Sequence, residues 1–423
     1  MAVREMKDSG IDWIDLIPAH WETKRLQFCL HERNVKNFPI QTKEILSLSV
    51  KKGITLYSER EGGGNKAKED LTAYKVVKTN DIVMNSMNVL EGAVNMSPYD
   101  GCVSPVYYIF NSPNFIETCY FNLLFQTKAF QKSLFGLGNG ILIKESSEGK
   151  YNTIRMRIPI DKLKRVKLPY PPYEEAKKIV SFLSQRVNEI DTLSTNIEKQ
   201  IETLQEFKKA QITEELNNLE GMCVEVPLWS ICQCNLESLP ENTKEDLEFD
   251  YVDISSVSYG KGITKTEHFT FKDAPSRARR KAQVGDILIS TVRTYLRAIA
   301  RVDEEHADCI FSTGFSVLKP KPHVNGDYLA FLLQTENFIH SVISHSKGVG
   351  YPAINSSQLM HLKVHYCNSM ETQKNVARNL LRKCKEIDAT IEEKQKQLEI
   401  LSQYKQSLIY EVVTGKKEIE CSN

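Results

Sequence analysis

Apolar residues recur at steps of three and four in two long stretches of this chain, and the stretches match after a shift of 197 positions. That spacing is the period of one face of an α-helix. The pattern predicts two long helices, 171–216 and 368–416, each roughly 68 Å long at 1.5 Å per residue. The matched positions are Ile179, Leu183, Val187, Ile190, Ile201, Leu204 and Phe207, and then Val376, Leu380, Cys384, Ile387, Leu398, Leu401 and Tyr404.

A helix with one apolar stripe and a charged remainder cannot bury that stripe alone. We therefore expect the two helices to pack against each other as an antiparallel coiled coil. Lys394 replaces Ile197 and Thr390 replaces Leu193, so the packing should be looser there, or that part should face a different partner. The predicted packing residues are Ile179, Leu183, Ile190, Leu204, Phe207, Val376, Leu380, Ile387, Leu401 and Tyr404.

The segment before each long helix also repeats. Residues 79–86 match 284–291 as a turn and a short buried strand, and residues 124–127 match 332–335 as a short helix. Each segment contains a proline and a tryptophan near its start, Pro18 with Trp21 and Pro227 with Trp229. The sequence predicts an α+β fold in which two globular domains of mixed short strands and helices are separated by the two long helices, as a pseudo-two-fold repeat.

This repeat gives the predicted boundaries. The N-terminal segment and first globular domain occupy 1–170, and the first long helix 171–216. A linker, 217–225, leads to the second globular domain, 226–367. The second long helix is 368–416, followed by a tail, 417–423.

Composition is that of an ordinary globular chain, with 41% hydrophobic and 26% charged residues and a net charge of +1. A nucleic-acid surface must therefore come from local clustering of basic residues. The ten cysteines show no C-x-x-C pair, so we expect free thiols. No apolar run has the length of a membrane span, and we expect a cytoplasmic protein.

Three motifs with catalytic or metal-binding associations are discounted. Residues 169–173 (PYPPY) place Tyr170 where an amino-methyltransferase needs Asn or Asp, and they suit a helix start better. His361 and His365 flank an alternating strand-like run, so we expect no metal there. Glu148-Gly149-Lys150 lacks a paired acidic residue, and the chain has no P-loop motif.

Basic residues cluster in both globular segments, with amides and hydroxyls among them. Lysine and arginine supply phosphate affinity, while Arg and Asn side chains also read base edges. A solvated charged surface is the alternative for either cluster, and the presence of one cluster in each domain favours DNA binding. The predicted contacts are Asn85, Asn88, Asn139, Lys144, Lys150, Arg155, Arg279, Arg280, Arg293, Thr294, Arg297, Lys347 and Tyr351.

In its order of motifs the chain resembles the specificity subunit of a type I restriction-modification enzyme. The resemblance rests on the I-P-x-x-W-E opening at residues 17–22 and its echo at Pro227 and Trp229, on the G-D-I-L strand at 285–288 and on the Glu-Ile-Asp triplets at 189–191 and 386–388. The V-V-T-G-K ending at 412–416 completes it. The first domain departs from the pattern at Asn80, where the second has Gly285.

The resemblance implies two target recognition domains that each read half of a split DNA site, with the helices setting the spacer and docking modification subunits. It implies no catalysis and no cofactor in this chain. S-adenosylmethionine, ATP and magnesium would be bound by two modification subunits and by restriction subunits. The alternatives are a stand-alone adenine-N6 DNA methyltransferase and a coiled-coil scaffold that binds only proteins.

Overall fold

The computed structural model describes residues 4–50, 52–60, 67, 69–138, 144–145, 151–152, 157–348 and 350–419. Within it the chain divides into two compact units. Unit 1 contains the residues up to Asn196 and those from Gln397, and unit 2 contains Ile197–Lys396. Each long helix therefore contributes one part to each unit.

Unit 1 holds the globular fold that precedes the first long helix. Its strands are β1 (Met6–Asp8), β2 (Leu16–Pro18), β3 (Glu22–Arg25), β4 (His31–Glu32), β5 (Leu46–Ser49), β6 (Gly53–Leu56), β7 (Lys75–Val77), β8 (Ile82–Asn85), β9 (Val94–Met96), β10 (Gly101–Val103), β11 (Tyr107–Asn111), β12 (Lys144–Glu145), β13 (Tyr151–Asn152) and β14 (Lys167–Tyr170). Its helices are α1 (Leu26–Cys29), α2 (Phe115–Phe125), α3 (Lys128–Ser133), α4 (Ile160–Leu163) and the first part of α5 (Tyr173–Asn217).

Unit 2 holds the fold that follows α5. Its strands are β15 (Cys223–Pro227), β16 (Cys232–Cys234), β17 (Glu248–Val252), β18 (Val257–Ser258), β19 (Gly262–Ile263), β20 (Glu267–Thr270), β21 (Ala278–Arg280), β22 (Ile287–Ser290), β23 (Ile299–Arg301), β24 (Ile310–Ser312), β25 (Phe315–Pro320) and β26 (Lys363–Cys367). Its helices are α6 (Gly326–Leu332), α7 (Glu336–His345), α8 (Ser356–His361) and the first part of α9 (Met370–Val413).

The two units repeat one sheet topology. A four-stranded sheet has the order β4-β11-β8-β9 in unit 1 and β16-β25-β22-β23 in unit 2. The second sheet of unit 2 has the order β20-β17-β24-β21, with β17 and β24 parallel. In unit 1 the corresponding strands form the pairs β5–β6 and β7–β10, joined by a parallel bridge between Ile45 and Cys102. The predicted α+β duplication is therefore confirmed.

Hydrogen bonds at equivalent residues confirm the matches read from the sequence. Thr127 and Thr335 each donate from the hydroxyl to the carbonyl three residues earlier, at 2.7 and 2.8 Å, where one short helix ends and the next begins. Asp81 and Asp286, at the start of the matched strands, each accept a backbone N–H from three residues earlier at 2.8 Å. The preceding residue has a positive φ in both copies, 73° at Asn80 and 91° at Gly285. Asn tolerates that region, so the departure at Asn80 preserves the turn.

The match of Pro18 and Trp21 with Pro227 and Trp229, read from the sequence, is wrong. Strand pairing aligns Arg25 with Pro227, because they face Lys167 and Lys363 in the matched strand pairs β3–β14 and β15–β26. Trp229 therefore corresponds to Gln27, and Trp21 to Cys223. The environments differ accordingly, since Trp21 is fully buried and Trp229 is 53% exposed. Short sequence echoes do not distinguish an inward from an outward position.

In unit 1 the two ends of the described chain meet. The Trp21 Nε1–H donates to the Glu175 carboxylate in the first turn of α5, and the Tyr120 hydroxyl donates to the Val413 carbonyl at 2.7 Å. Arg4 also pairs with Glu175 at 2.9 Å. α9 ends at Val413, three residues before the predicted end, and Thr414 after it is fully buried. In the predicted tail, 417–423, Ile419 packs against the apolar cluster.

The long helices pack antiparallel within each unit, as predicted. In unit 1, Ile179, Leu183 and Ile190 share an apolar cluster with Leu408 and Val412. In unit 2 the second part of α5 contributes Ile212 and Leu216 to a cluster with Leu380 and Cys384 of α9, and Val376 packs against its edge. The stretch predicted as a linker, 217–225, is not all linker, because β15 begins at Cys223 and pairs with β26.

The lysine and aspartate that recur in both long helices form ion pairs between the helices. Lys405 binds Asp191 at 2.6 Å in unit 1, and Lys208 binds Asp388 at 2.6 Å in unit 2. Phe207 and Tyr404 are each 51% exposed, a correction to their predicted packing. Their neighbours Lys208 and Lys405 take the inward positions, and adjacent helix residues point about 100° apart. Leu204, Ile387 and Leu401 are half-buried. Leu193 is 52% exposed, and Thr390, its counterpart in α9, is also exposed.

Candidate nucleic-acid interface

Two loops of unit 2 are joined through their backbones. The first connects β22 to β23, and the second follows α7. Arg293 N–H donates to the Pro352 carbonyl at 2.8 Å, and Ile354 N–H donates to the Thr291 carbonyl at 2.9 Å. Lys347 and Ala353 exchange two backbone hydrogen bonds, which close the second loop into a narrow ribbon. We call 291–297 together with 346–353, without residue 349, the loop pair.

The first loop is built around one 3₁₀ turn, Thr294–Leu296. Arg293 and Arg297 flank it, both in the left-handed region with φ of 51° and 53°. That region is unfavourable for residues other than glycine, so the surrounding contacts must hold it. Thr294 provides one such contact, because its hydroxyl lies 2.9 Å from the Ser346 hydroxyl of the second loop.

Basic and aromatic side chains are prominent among the exposed residues of the loop pair. The Arg293 guanidinium lies 4.9 Å from the centre of the Tyr351 ring, a cation–π contact that presents both groups together. Tyr351 is 67% exposed, and Lys347 is exposed on the same loop. The structure therefore brings together Arg293, Lys347 and Tyr351, three of the predicted contacts.

Arg297 has a different role from Arg293. Its guanidinium donates to the Glu336 carboxylate in the first turn of α7, and it also lies 5.9 Å from the Tyr259 ring centre. Burial, followed by the charge of Glu336, raises the pKa of Tyr259 to about 12, so its hydroxyl remains a donor to the Gln334 carbonyl. Arg297 thus fixes the loop to the fold, and its predicted DNA contact stays a prediction.

Arg279 and Arg280 lie on β21, half-buried, rather than on the loop pair. The Arg279 guanidinium is 4.5 Å from the Phe271 ring centre and donates to the Ala278 carbonyl. The Arg280 Nε–H is buried and has no partner among the described residues. Arg277 is exposed, and it was not among the predicted contacts. Its carbonyl accepts from Thr313 N–H, and the neighbouring Gly314 carbonyl accepts from Thr291 N–H of the loop pair, each at 2.8 Å.

Unit 1 has an equivalent turn over residues 88–92. Glu91 N–H donates to the Asn88 carbonyl, as Leu296 N–H donates to the Arg293 carbonyl in unit 2. Asn88 therefore occupies the position of Arg293 and is exposed like it. Gly92, with φ of 99°, occupies the position of Arg297.

Asn85 and Thr294 are corrected as surface contacts. Asn85 is 9% exposed and its side-chain oxygen accepts the Met87 N–H at 3.0 Å, while Thr294 is 4% exposed. Both side chains are used to close the turns that present their neighbours. Asn139, Lys150 and Arg155 lie outside the described residues, as does the side chain of Lys144. Their predicted contacts stay predictions.

The discounted motifs have structural roles. The Tyr170 hydroxyl donates to Glu117 at 2.7 Å, and this hydrogen bond raises the pKa of Tyr170 to about 12. His361 ends α8 and His365 lies exposed on β26, and the described residues include no group of ligands suited to a metal ion. Nine described cysteines are free, and no described helix is long and apolar enough to span a membrane.

Comparison with known proteins agrees with this architecture. A family model for the type I restriction modification DNA specificity domain matches residues 231–410. The MjaVIII type I restriction enzyme specificity subunit of Methanocaldococcus jannaschii is 25% identical over 285 residues, which span 61% of this chain and 64% of that protein. A protein named as the MjaX specificity subunit, from the same organism, is 24% identical over 96% of this chain and 95% of its own length.

One solved structure shows the same fold. It belongs to work on complex assembly and conformational transition of the type I R-M system. That chain has a TM-score of 0.68 at 14% identity, and the match covers 95% of this chain and 99% of that one. The duplicated fold and these similarities confirm the resemblance predicted from the sequence. The chain is similar to type I restriction-modification specificity subunits over nearly its full length, and residues 231–410 match the family model of their DNA specificity domain.

Proposed function

We propose that this chain selects DNA for a type I restriction-modification complex by reading a split site with its two units. The observation that carries the proposal is the repetition of one sheet topology with different side chains on the equivalent turns. Asn88 stands in unit 1 where Arg293 stands in unit 2. Asn suits an adenine edge and Arg suits guanine or phosphate, so the units would read different half-sites.

The chemistry of the complex would lie in other subunits. Two modification subunits would bind S-adenosylmethionine and methylate adenine, and restriction subunits would use ATP and magnesium. This chain would contribute recognition and docking surfaces without catalysing a reaction, and it would act in the cytoplasm. The structural role of Tyr170, at the one motif that resembles a methyltransferase, supports this assignment.

The long helices would fix the spacer between half-sites. α5 and α9 have 45 and 44 residues and each contributes to both units. Deletion of one heptad from both helices at matched positions should change the preferred spacer and leave the half-sites unchanged. Binding-site selection on the assembled complex measures this. An unchanged spacer with altered half-sites would contradict the proposed role of the helices.

Phosphate contacts by the loop pair can be tested separately. Arg293→Ala and Lys347→Ala should each weaken binding and reduce the salt dependence of the affinity by about one counterion. The matched control is Lys272→Ala, because Lys272 is exposed but forms an ion pair with Glu245 on another part of unit 2. Equal effects of all three variants would indicate nonspecific loss of charge.

Two measurements separate the alternative functions. Saturable binding of S-adenosylmethionine by the isolated chain would support a stand-alone methyltransferase. Absence of salt-dependent DNA binding by the assembled complex would support a protein-only scaffold.

A further inference from the structure

Two large side chains project from the tip of the first loop of unit 2. Tyr295 is 51% exposed and Leu296 is 43% exposed, and they are consecutive residues of the 3₁₀ turn. Single exposed apolar residues are ordinary on protein surfaces. Here two adjacent ones stand between Arg293 and Arg297 in the chain, and Arg293 is itself in contact with the exposed Tyr351.

The tip is held rigidly from behind. The Thr294 hydroxyl bonds to Ser346, Arg297 binds Glu336, and Arg293 N–H donates to Pro352. The space between the turn and helix α7 is a cavity of only about 10 Å³, lined by residues such as Thr294, Phe338 and Val342. A turn so supported does not fold its tip back onto the unit, so Tyr295 and Leu296 stay directed away from the core.

The backbone of the tip also differs from that of its counterpart. Unit 1 closes the equivalent turn with Gly92, which takes a positive φ without strain. Unit 2 closes it with Arg297, at φ of 53°, and retains the strain. Non-glycine residues in this region cluster at functional sites. The counterparts of Tyr295 and Leu296 in unit 1 are Leu90, which is half-buried, and Glu91, whose charge would not enter a base stack.

We propose that Tyr295 and Leu296 form a wedge that enters a base step of the DNA bound by unit 2. The inference rests on the proposed function and adds to it a deformation of the DNA. Arg293 and Lys347 would hold the phosphates beside the step, as basic residues do around inserted apolar side chains in other DNA-bending proteins. Tyr295 would stack on an exposed base face, and Leu296 would fill the space between the separated base pairs.

The charges around Tyr295 and Leu296 indicate which kind of partner these side chains contact. An apolar protein partner would meet Arg293 and Lys347 at the rim of its contact, and those cations would lose hydration without gaining a partner. A base step offers a flat apolar face between two phosphates, which satisfies both kinds of side chain. Nucleic acid is therefore the occupant that suits the whole tip.

The test uses the complex assembled with its modification subunits and a duplex containing the site found by selection. 2-Aminopurine, an adenine analogue, replaces in turn each adenine on either strand of the half-site for unit 2, because its fluorescence rises when it is unstacked. The adenine that would be methylated is left out of this series, because methyltransferases flip their target base whether or not a wedge is present. We expect a rise at one step with the unaltered chain. Leu296→Ala and Tyr295→Ala should abolish it and lower the affinity for the site by about tenfold, the lower end of the effect of removing one stacking contact. The dependence of affinity on salt should not change.

Leu236→Ala is the matched control, because Leu236 is 55% exposed on unit 2 and away from the loop pair in sequence. It should leave fluorescence and affinity unchanged. All three variants should unfold at the temperature of the unaltered chain, since the replaced side chains are exposed. Sequence-specific binding without a fluorescence rise at any position, or with a rise that Leu296→Ala and Tyr295→Ala preserve, would overturn the wedge and leave the proposed function intact. Absence of sequence-specific binding by the unaltered complex would overturn both.

Discussion

The two units of this chain use the same sheet order but treat equivalent positions differently. The matched turns after β8 and β22 have the same backbone hydrogen bonds, yet unit 1 presents Asn88 and Glu91 where unit 2 presents Arg293 and Leu296. The matched lysines of the long helices also differ. Lys208 additionally donates to the Gly260 carbonyl at 2.8 Å, while the one partner of Lys405 among the described residues is the Asp191 carboxylate. Duplication conserved the scaffold, and side chains on its turns and helices made the units distinct.

The tryptophans should give the largest contrast. Trp21→Ala should lower the free energy of unfolding of unit 1 by about 3–5 kcal/mol, because it opens a cavity in a closed core and removes a donor from Glu175. Trp229→Ala, with a half-exposed side chain, should change stability by less than about 0.5 kcal/mol. Urea unfolding measures the stability change of each variant, and hydrogen exchange assigns that change to one of the two units. Similar losses of unfolding free energy in the two variants would indicate that Trp21 and Trp229 are equivalent, contrary to the strand pairing.

The lysines of the long helices should differ less. Lys208→Met should lower the free energy of unfolding by about 2 kcal/mol, because the Asp388 carboxylate and the Gly260 carbonyl lose a nearly buried charged donor. Lys405→Met should cost less than about 1 kcal/mol, because its ion pair is exposed to solvent. Hydrogen exchange at residues 258–262 should rise only in the Lys208 variant. Equal protection of those residues in both variants would contradict an attachment of this loop through Lys208.

The carboxylate of Glu175 should make the stability of unit 1 depend on pH. Burial would raise its pKa, but hydrogen bonds from Trp21 and His20 and the charge of Arg4 together hold the pKa below its ordinary value of 4.5. The ionised form therefore stabilises the fold above that pH, and the contribution is lost as the pH falls through the lowered pKa.

Glu175→Gln tests this assignment. It should lower stability at neutral pH by about 1 kcal/mol and flatten the pH dependence below 4.5. Stability curves collected at several pH values provide the measurement. A variant curve that runs parallel to the original through this range would assign the pH dependence to other groups.

The smallest effects should come from the turns before β8 and β22. Gly285→Ala should lower the free energy of unfolding by about 1 kcal/mol, because the positive φ at this position is strained for a residue with a Cβ. Gly285→Asn and Asn80→Gly should each change stability by only a few tenths of a kcal/mol, because asparagine tolerates this region. Thermal unfolding of the four proteins, with the unaltered chain included, distinguishes these cases. A large cost for Gly285→Asn would show that the turns are not interchangeable.

Much of the architecture followed from the sequence alone. The period of three and four residues specified both long helices, because helix geometry sets which residues share a face. α5 begins at Tyr173, two residues after the predicted start, because Pro171 and Pro172 precede it. The repeats at 79–86 and 124–127 located equivalent strands and helix caps, since turns and caps depend on a few local residues.

The tertiary structure decided which side chains are available. Asn85 and Thr294 have the polar groups expected of DNA contacts, but Asn85 accepts the Met87 N–H and the buried Thr294 hydroxyl bonds to the Ser346 hydroxyl. Trp21 and Trp229 follow similar residues and have opposite environments, because the strand pairing β3–β14 and β15–β26 sets their register. Tyr295 and Leu296 carry no sequence signal beyond their place between two arginines. Their exposure depends on Ser346, Glu336 and Pro352, residues distant in the chain that only folding brings beside them.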